Sequence, residues 1–150
     1  MTLPAAASPR RIPIYGVDTM LFVYHFEEQA QFGPAATRLL QAAEHDQLRL
    51  VTSVLTLMEV LVVPKRERQE QLCRRYRELF ATFPQLTVLP IDESIAEVAS
   101  DLRATHTLRT PDALHLATAI VAGAEAFVTE DRRLSNIAAI RVIGILQAVS

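Results

Sequence analysis

The stretch Ile12-Pro13-Ile14-Tyr15-Gly16-Val17-Asp18-Thr19, running directly into Met20-Leu21-Phe22-Val23-Tyr24-His25-Phe26, decides the fold. Ile12 to Val17 is a short apolar run of the kind that forms a buried strand. Asp18-Thr19 offers N-cap chemistry for a helix over Met20 to Phe26. A strand that closes on an acid and turns at once into a helix begins an alternating α/β chain, and it leaves Asp18 at a strand's carboxyl end.

Working outward, the alternation continues. Gly33-Pro34 opens a helix with Ala36, Leu39, Leu40 and Ala43 on its apolar face, fading near His45 to Gln47, and Leu48 to Thr52 is a second strand. Ser53 caps a third helix running to about Val63, where Pro64 is expected to end it. Lys65 to Phe83 continues as a charged, amphipathic helix stopped by Pro84, so that the two form a helical hairpin. Leu86 to Leu89 is a third strand, and Asp92 starts a helix through about Ala104. Thr110-Pro111 starts another that reaches Ala122 and ends at Gly123. Ala126 to Thr129 and Arg141 to Ile145 are the fourth and fifth strands, with a loop or short helix over Arg132 to Ala139 between them. Short apolar strands alternating with helices predict a mainly parallel sheet with helices on both faces, which places ligands at the carboxyl ends of the strands.

Composition narrows the functional classes. The 150 residues, half of them hydrophobic, suit one ordinary domain over residues 12–150 with a real core, after a flexible tail over residues 1–11 that is rich in Ala and Pro. That tail lacks the unbroken apolar stretch of a secretory signal, and no apolar run approaches the roughly 20 residues that cross a bilayer. Cys73 is the only cysteine, which excludes an intrachain disulfide and a cysteine-rich zinc site and points to a cytoplasmic setting. A formal net charge of −2 excludes gripping nucleic acid through bulk positive charge. Any such binding is local, with metal ions at an acidic site supplying part of the missing charge.

Four acids need explaining. Asp18 follows the first strand and reads equally well as a simple helix cap. Glu59 lies in Leu55-Thr56-Leu57-Met58-Glu59-Val60-Leu61-Val62-Val63, a helix so apolar that most of its faces are expected to be covered. An unpaired carboxylate there costs on the order of several kcal/mol, so it needs a proton or a cation, an arginine salt bridge being the ordinary one. Asp112 falls in the first turn of the helix after Thr110-Pro111, where the helix dipole favours an anion, and an ordinary dipole-compensating Asp reads the same way. Asp131 follows the fourth strand, where a solvated loop acid is the plain alternative. Together, the four fall on positions that the alternating topology can bring to one edge of the sheet. Like charges gathered there suit Mg²⁺ or Mn²⁺ as hard cations with oxygen ligands, and the chemistry that follows is metal-assisted phosphodiester hydrolysis.

With these residues in view the chain resembles the PIN domain family, and within it the VapC-like toxins of toxin-antitoxin pairs. The most specific segment is Leu108-Arg109-Thr110-Pro111-Asp112-Ala113-Leu114-His115-Leu116-Ala117-Thr118-Ala119, similar to the family's third acidic motif. Val17-Asp18, Leu57-Met58-Glu59-Val60 and Phe127-Val128-Thr129-Glu130-Asp131 match the other three. The resemblance implies a three-layer α/β/α sandwich, Asp18, Glu59, Asp112 and Asp131 as the quartet that binds Mg²⁺, and Thr129 supporting Asp131 through its hydroxyl. It further implies an RNA substrate cut by metal-activated water, a homodimer, and a small antitoxin partner. One departure is Glu130, where the motif commonly has Asn, leaving it either a further ligand or a solvent-facing acid.

Several features rank below these. His115 lies one turn after Asp112 and reads as a satisfied core histidine or a support behind the site. Arg109, just before that helix, is placed to meet phosphate or to pair with Asp112. Lys65-Arg66-Glu67-Arg68 with Arg74, Arg75 and Arg77 is interleaved by Glu67, Glu70 and Glu78 and reads as a solvated, ion-paired face. Met20 to Phe26 suits a partner surface or the domain's own core. A phosphatase with an aspartyl nucleophile would want a second Asp two residues after Asp18, where Met20 stands. The remaining rival is a catalytically silent PIN-like binding module.

Overall fold

The computed structural model describes residues 11–150. The tail expected over residues 1–11 lies, apart from Arg11, outside the described residues. Five strands form one all-parallel sheet in the order β3-β2-β1-β4-β5: β1 (Ile14–Val17), β2 (Arg49–Ser53), β3 (Leu86–Leu89), β4 (Ala126–Val128) and β5 (Arg141–Ile143). Between them run α1 (Met20–Phe26), α2 (Gly33–Glu44), α3 (Val54–Arg66), α4 (Glu70–Thr82), α5 (Glu93–Thr105) and α6 (Thr110–Val121), with α7 (Ile145–Val149) after β5. The expected α/β class and parallel sheet are therefore what the chain adopts.

Two cores lie on opposite faces of the sheet, because neighbouring strand residues point to opposite sides. Val17, Leu50, Ala126 and Val128 face α1, α2, α4 and α7, whereas Phe127 faces α5 and α6. The three layers follow from this alternation. Strand order reverses direction between β1 and β4, the first extending the sheet toward β2 and β3 and the second toward β5. A crevice opens at the carboxyl ends of such a pair.

Four details depart from the sequence reading. Pro64 does not end α3: although it lacks an N–H for Val60, it sits buried inside the helix, which continues to Arg66. The break comes at Arg68, whose φ of 56° is the left-handed turn that starts α4, so one charged helix over Lys65 to Phe83 is replaced by the tip of α3, a turn and α4. Thr110 is the first helical residue of α6, and Arg109 occupies the capping position. The fifth strand stops at Ile143, and Ile145 already belongs to α7.

Two surfaces also differ from expectation. Helix α3 is not covered on most faces: Val54, Met58, Val62 and Val63 are exposed, Met58 at 53%. Helix α4 buries Cys73, Tyr76, Leu79 and Phe80 and turns its cations outward, but the expected ion pairing is missing. Among the described residues, none of its arginines meets an acid within 4.0 Å. Helix α1 divides its residues, with Leu21 and Phe22 in the core and Met20 exposed.

Candidate metal centre

The crevice at the carboxyl ends of β1 and β4 holds a cavity of about 620 Å³ lined by Asp18, Glu59, Asp112 and Asp131, together with Thr19, Tyr24, Arg109, His115 and Glu130. Each acid arrives on a different element. Asp18 follows β1, and its Oδ1 accepts the Met20 N–H at 3.1 Å, an N-terminal bond that fixes the start of α1. Glu59 projects from the second turn of α3, Asp112 from the first turn of α6, and Asp131 from the loop after β4.

Thr129 joins the two strand ends. Its hydroxyl donates to Asp18 Oδ2 at 2.5 Å and accepts the Asp131 N–H at 3.0 Å. The expected support of Asp131 thus acts on its backbone, while the hydroxyl proton goes to Asp18. Burial pushes the Asp18 carboxyl above its ordinary value, against the lowering pull of Thr129, the charge of His115 and the backbone N–H of Met20.

Glu59 meets neither an arginine nor a dry wall. His115 Nε2 donates to its Oε1 at 2.6 Å and the Thr19 hydroxyl donates to the same oxygen at 2.7 Å, which together hold the Glu59 carboxyl below its usual range. His115 is buried, at 7% exposure, and its Nδ1 lies 3.5 Å from the Thr56 hydroxyl. Thr56 in turn meets Thr52 at 2.7 Å, and Thr52 stands 3.3 Å from the carbonyl of Val17. With Nε2 on Glu59 and Nδ1 beside the Thr56 hydroxyl, both ring nitrogens are engaged, so this buried chain fixes the ring and aims Glu59. The histidine read as a support behind the site is the direct partner of Glu59.

Arg133 is the residue that sequence reading missed. Its Nε lies 3.0 Å from Asp131 Oδ1 and its Nη2 2.5 Å from Oδ2, a bidentate pair that holds the Asp131 carboxyl low, and the same Nη2 is 4.0 Å from Asp112 Oδ2. Arg109 Nε lies 3.5 Å from that same Asp112 oxygen, so the pairing considered for Arg109 forms. Glu130 borders the same cavity, but its Oε1 accepts the Ile145 N–H at 2.6 Å and caps α7, against Gly144, where a side chain would crowd it.

The donor set is made of carboxylate oxygens, which fits a hard divalent cation. Among the described residues no three acids or histidines stand together as ligands for a single ion. A hydrated Mg²⁺ suits this openness, since it keeps several waters and binds through one or two carboxylates.

The raised Asp18 carboxyl has a consequence for stability. An acid whose folded pKa lies above its unfolded value makes the fold lose stability as pH rises from the ordinary value near 3.8 through the raised one, and the loss persists above it. Asp18→Asn therefore raises the melting temperature at pH 7.5 in EDTA, and the gain shrinks toward zero as the pH is brought below 4. A variant less stable than the native chain at pH 7.5 overturns this account.

A PIN domain family model matches residues 15–140. No curated protein sequence matches the chain. Among solved structures, a toxin-antitoxin complex from Klebsiella pneumoniae superposes with a TM-score of 0.65 at 26% identity, covering 89% of this chain and 97% of that one. VapBC2 from Rickettsia felis, bound to a DNA fragment from its promoter, gives a TM-score of 0.69 at 16% identity, covering 87% and 98%. VapC20 from Mycobacterium tuberculosis, described as a sarcin-ricin loop cleaving toxin, gives 0.65 at 16% identity, covering 85% and 98%. At 16% identity the last two speak for the fold alone.

Proposed function

The chain belongs to the PIN domain family, and on that ground we propose that it is a metal-dependent endoribonuclease acting as the toxin of a toxin-antitoxin pair. The observation that carries this reading is the meeting of Asp18, Glu59, Asp112 and Asp131, from four separate elements, on one cavity at the point where strand order reverses. The toxin role is supported by the similarity to the Klebsiella complex.

In this reading Asp18, Asp112, Asp131 and Glu59 hold Mg²⁺ or Mn²⁺. Such an ion polarises a phosphoryl oxygen and lowers the pKa of water. His115 and Thr19 both occupy Oε1 of Glu59, which leaves Oε2 for the cavity. Thr129 fixes the strand-end pair, and Arg109, 71% exposed, stands at the rim with donors to offer an RNA phosphate. The exposed stripe Val54, Met58 and Val62 on α3 supports a protein partner, a second copy or a cognate antitoxin, because spacing of four places all three on one helix face.

The second reading, a silent binding module, draws on Arg133, which already neutralises Asp131 and reaches Asp112. If the site is a metal centre, that guanidinium competes with the ion. Arg133→Ala then tightens Mn²⁺ binding by roughly two- to fivefold, the worth of an exposed ion pair, as read by isothermal titration. Weaker binding in the variant assigns Arg133 a supporting role in place of a competing one. For the function itself, the chain freed of co-purifying partner is incubated with a mixed pool of labelled RNAs in Mg²⁺ or Mn²⁺, beside an EDTA control. Metal-dependent cleavage establishes the enzyme, and intact RNA with no Mn²⁺ binding favours the silent module.

A further inference from the structure

A polyanion approaching four carboxylates is repelled unless cations nearby offset them, and a chain of net charge −2 has to concentrate those cations somewhere. The hairpin of α3 and α4 is that place. Between Lys65 and Glu78 it carries Lys65, Arg66, Arg68, Arg74, Arg75 and Arg77 against Glu67, Glu70 and Glu78, a net of +3. None of these six cations is in an ion pair with any described residue. Clustered cations without protein partners have their donors available to a ligand.

The cations lie next along α3 from the carboxylate site. Val63 borders the acidic cavity, and the next two residues, Pro64 and Lys65, border a second concavity of about 370 Å³ between the end of α3 and α4. Lys65, Arg68, Arg74 and Arg77 ring this second hollow, with Glu70 the only acid among its lining residues. Arg68 and Arg74 also border a third hollow, with Phe26 and Arg75, where the guanidinium of Arg75 lies 4.8 Å over the Phe26 ring. Helix α1 runs from the acidic cavity, lined by its Met20, Val23 and Tyr24, to the third hollow, bordered by its last residue, Phe26. Arg74 and Arg77, three apart, share one face of α4.

We propose that the basic groove of the α3–α4 hairpin, centred on Arg68, Arg74 and Arg77, is the track that holds the phosphate backbone of single-stranded RNA as it leaves the carboxylate cavity. The proposal rests on RNA being the ligand of that cavity. Guanidinium groups bind phosphate through paired N–H donors, and a basic groove one residue along α3 from the carboxylate cavity lies within reach of a strand that occupies both. An acidic protein segment would satisfy the same charges, but nothing in such a ligand calls for a place beside four carboxylates. The track reads phosphate spacing and not bases, so it adds affinity for length without adding sequence preference.

The test measures binding of a labelled 20-nucleotide oligouridylate to the full chain in EDTA, so that no cleavage occurs, across a range of salt concentrations. Arg68→Gln/Arg74→Gln/Arg77→Gln removes three phosphate contacts and flattens the slope of log affinity against log salt by about 2. At moderate salt it weakens binding at least tenfold. The corresponding triple Arg→Lys variant keeps the salt slope, which separates lost charge from lost folding. An unchanged slope in the Gln variant overturns the track. So does a Gln variant that loses a glutamate-rich peptide while keeping the 20-mer, which assigns the groove to an acidic protein segment. Cleavage of the pooled RNAs by the native chain with an unchanged slope sinks the track and leaves the ribonuclease reading standing. No cleavage, with the predicted slope change, does the reverse.

Discussion

Asp112→Asn is expected to eliminate the metal-dependent RNA cleavage proposed above, lowering it by more than about a hundredfold, while the chain stays folded. The size follows from what is removed. The substitution keeps the shape of the side chain and its place in the first turn of α6, but it takes away the negative charge that would meet a divalent ion. Supports behind a metal ligand typically cost only about 10- to 100-fold when removed, so a graded series is expected. His115→Ala falls in that lesser range, because Glu59 keeps the Thr19 hydroxyl on its Oε1. The measurement is single-turnover cleavage of one RNA identified from the pool, in saturating Mn²⁺, for native chain, Asp112→Asn and His115→Ala. Equal losses in the two variants would mean that Asp112 acts on structure and not as a ligand. Cleavage that persists in Asp112→Asn rules out the quartet as the catalytic centre.

The positions of the acids were legible because each sits where a local rule operates. Asp18 and Asp131 follow apolar strand runs, Asp112 follows Thr110-Pro111, and Ser53 announces the start of α3, its hydroxyl accepting the Leu55 N–H at 3.2 Å. Such start and stop signals need only a few neighbours in the chain. A mainly parallel sheet was legible for a related reason: strands separated by helices leave little freedom in direction.

What stayed hidden depends on pairs far apart in sequence or on competition between forces. The His115–Glu59 bond spans 56 positions, and its only local hint was the place of His115 one turn beyond Asp112. The sequence leaves Glu130 as a ligand or a solvated acid, because α7, which it caps, is a five-residue helix with too short a pattern to read. Arg133 sits two residues after Asp131, close enough to suspect, yet its reach to Asp112 depends on the meeting of α6 and the β4 loop. The missing N–H of Pro64 predicts a helix end, whereas its burial in the last turn of α3 outweighs one lost backbone bond. An apolar run such as Val54 to Val63 shows how much hydrophobic surface exists, and it carries no information on whether the domain or a partner covers it.

Gly16 decides how closely the layer that carries Asp112 approaches the strand that carries Asp18. A Cβ placed there would lie 2.3 Å from the Cβ of Ala119 on α6 and 3.1 Å from the Phe127 ring, in the middle of β1. Ala119 Cβ has no rotamer through which to withdraw, so the strand and the helix must move apart. Gly16→Val is expected to cost about 3 kcal/mol or more, a fall in melting temperature of roughly 10 °C for a chain of this size. Gly16→Ala is milder but shifts Asp18 against Asp112, so cleavage by the folded fraction falls with it. A double-mutant cycle isolates the contact. Ala119→Gly alone destabilises by about 1 kcal/mol, the cost of a glycine inside a helix. Combined with Gly16→Ala it removes the clash and should return the pair above Gly16→Ala in stability. Simple additivity of the two losses would mean that the close approach of β1 and α6 is not what the glycine serves. Recovery of both stability and cleavage in the double variant would tie the spacing of these two acids to a single methyl group.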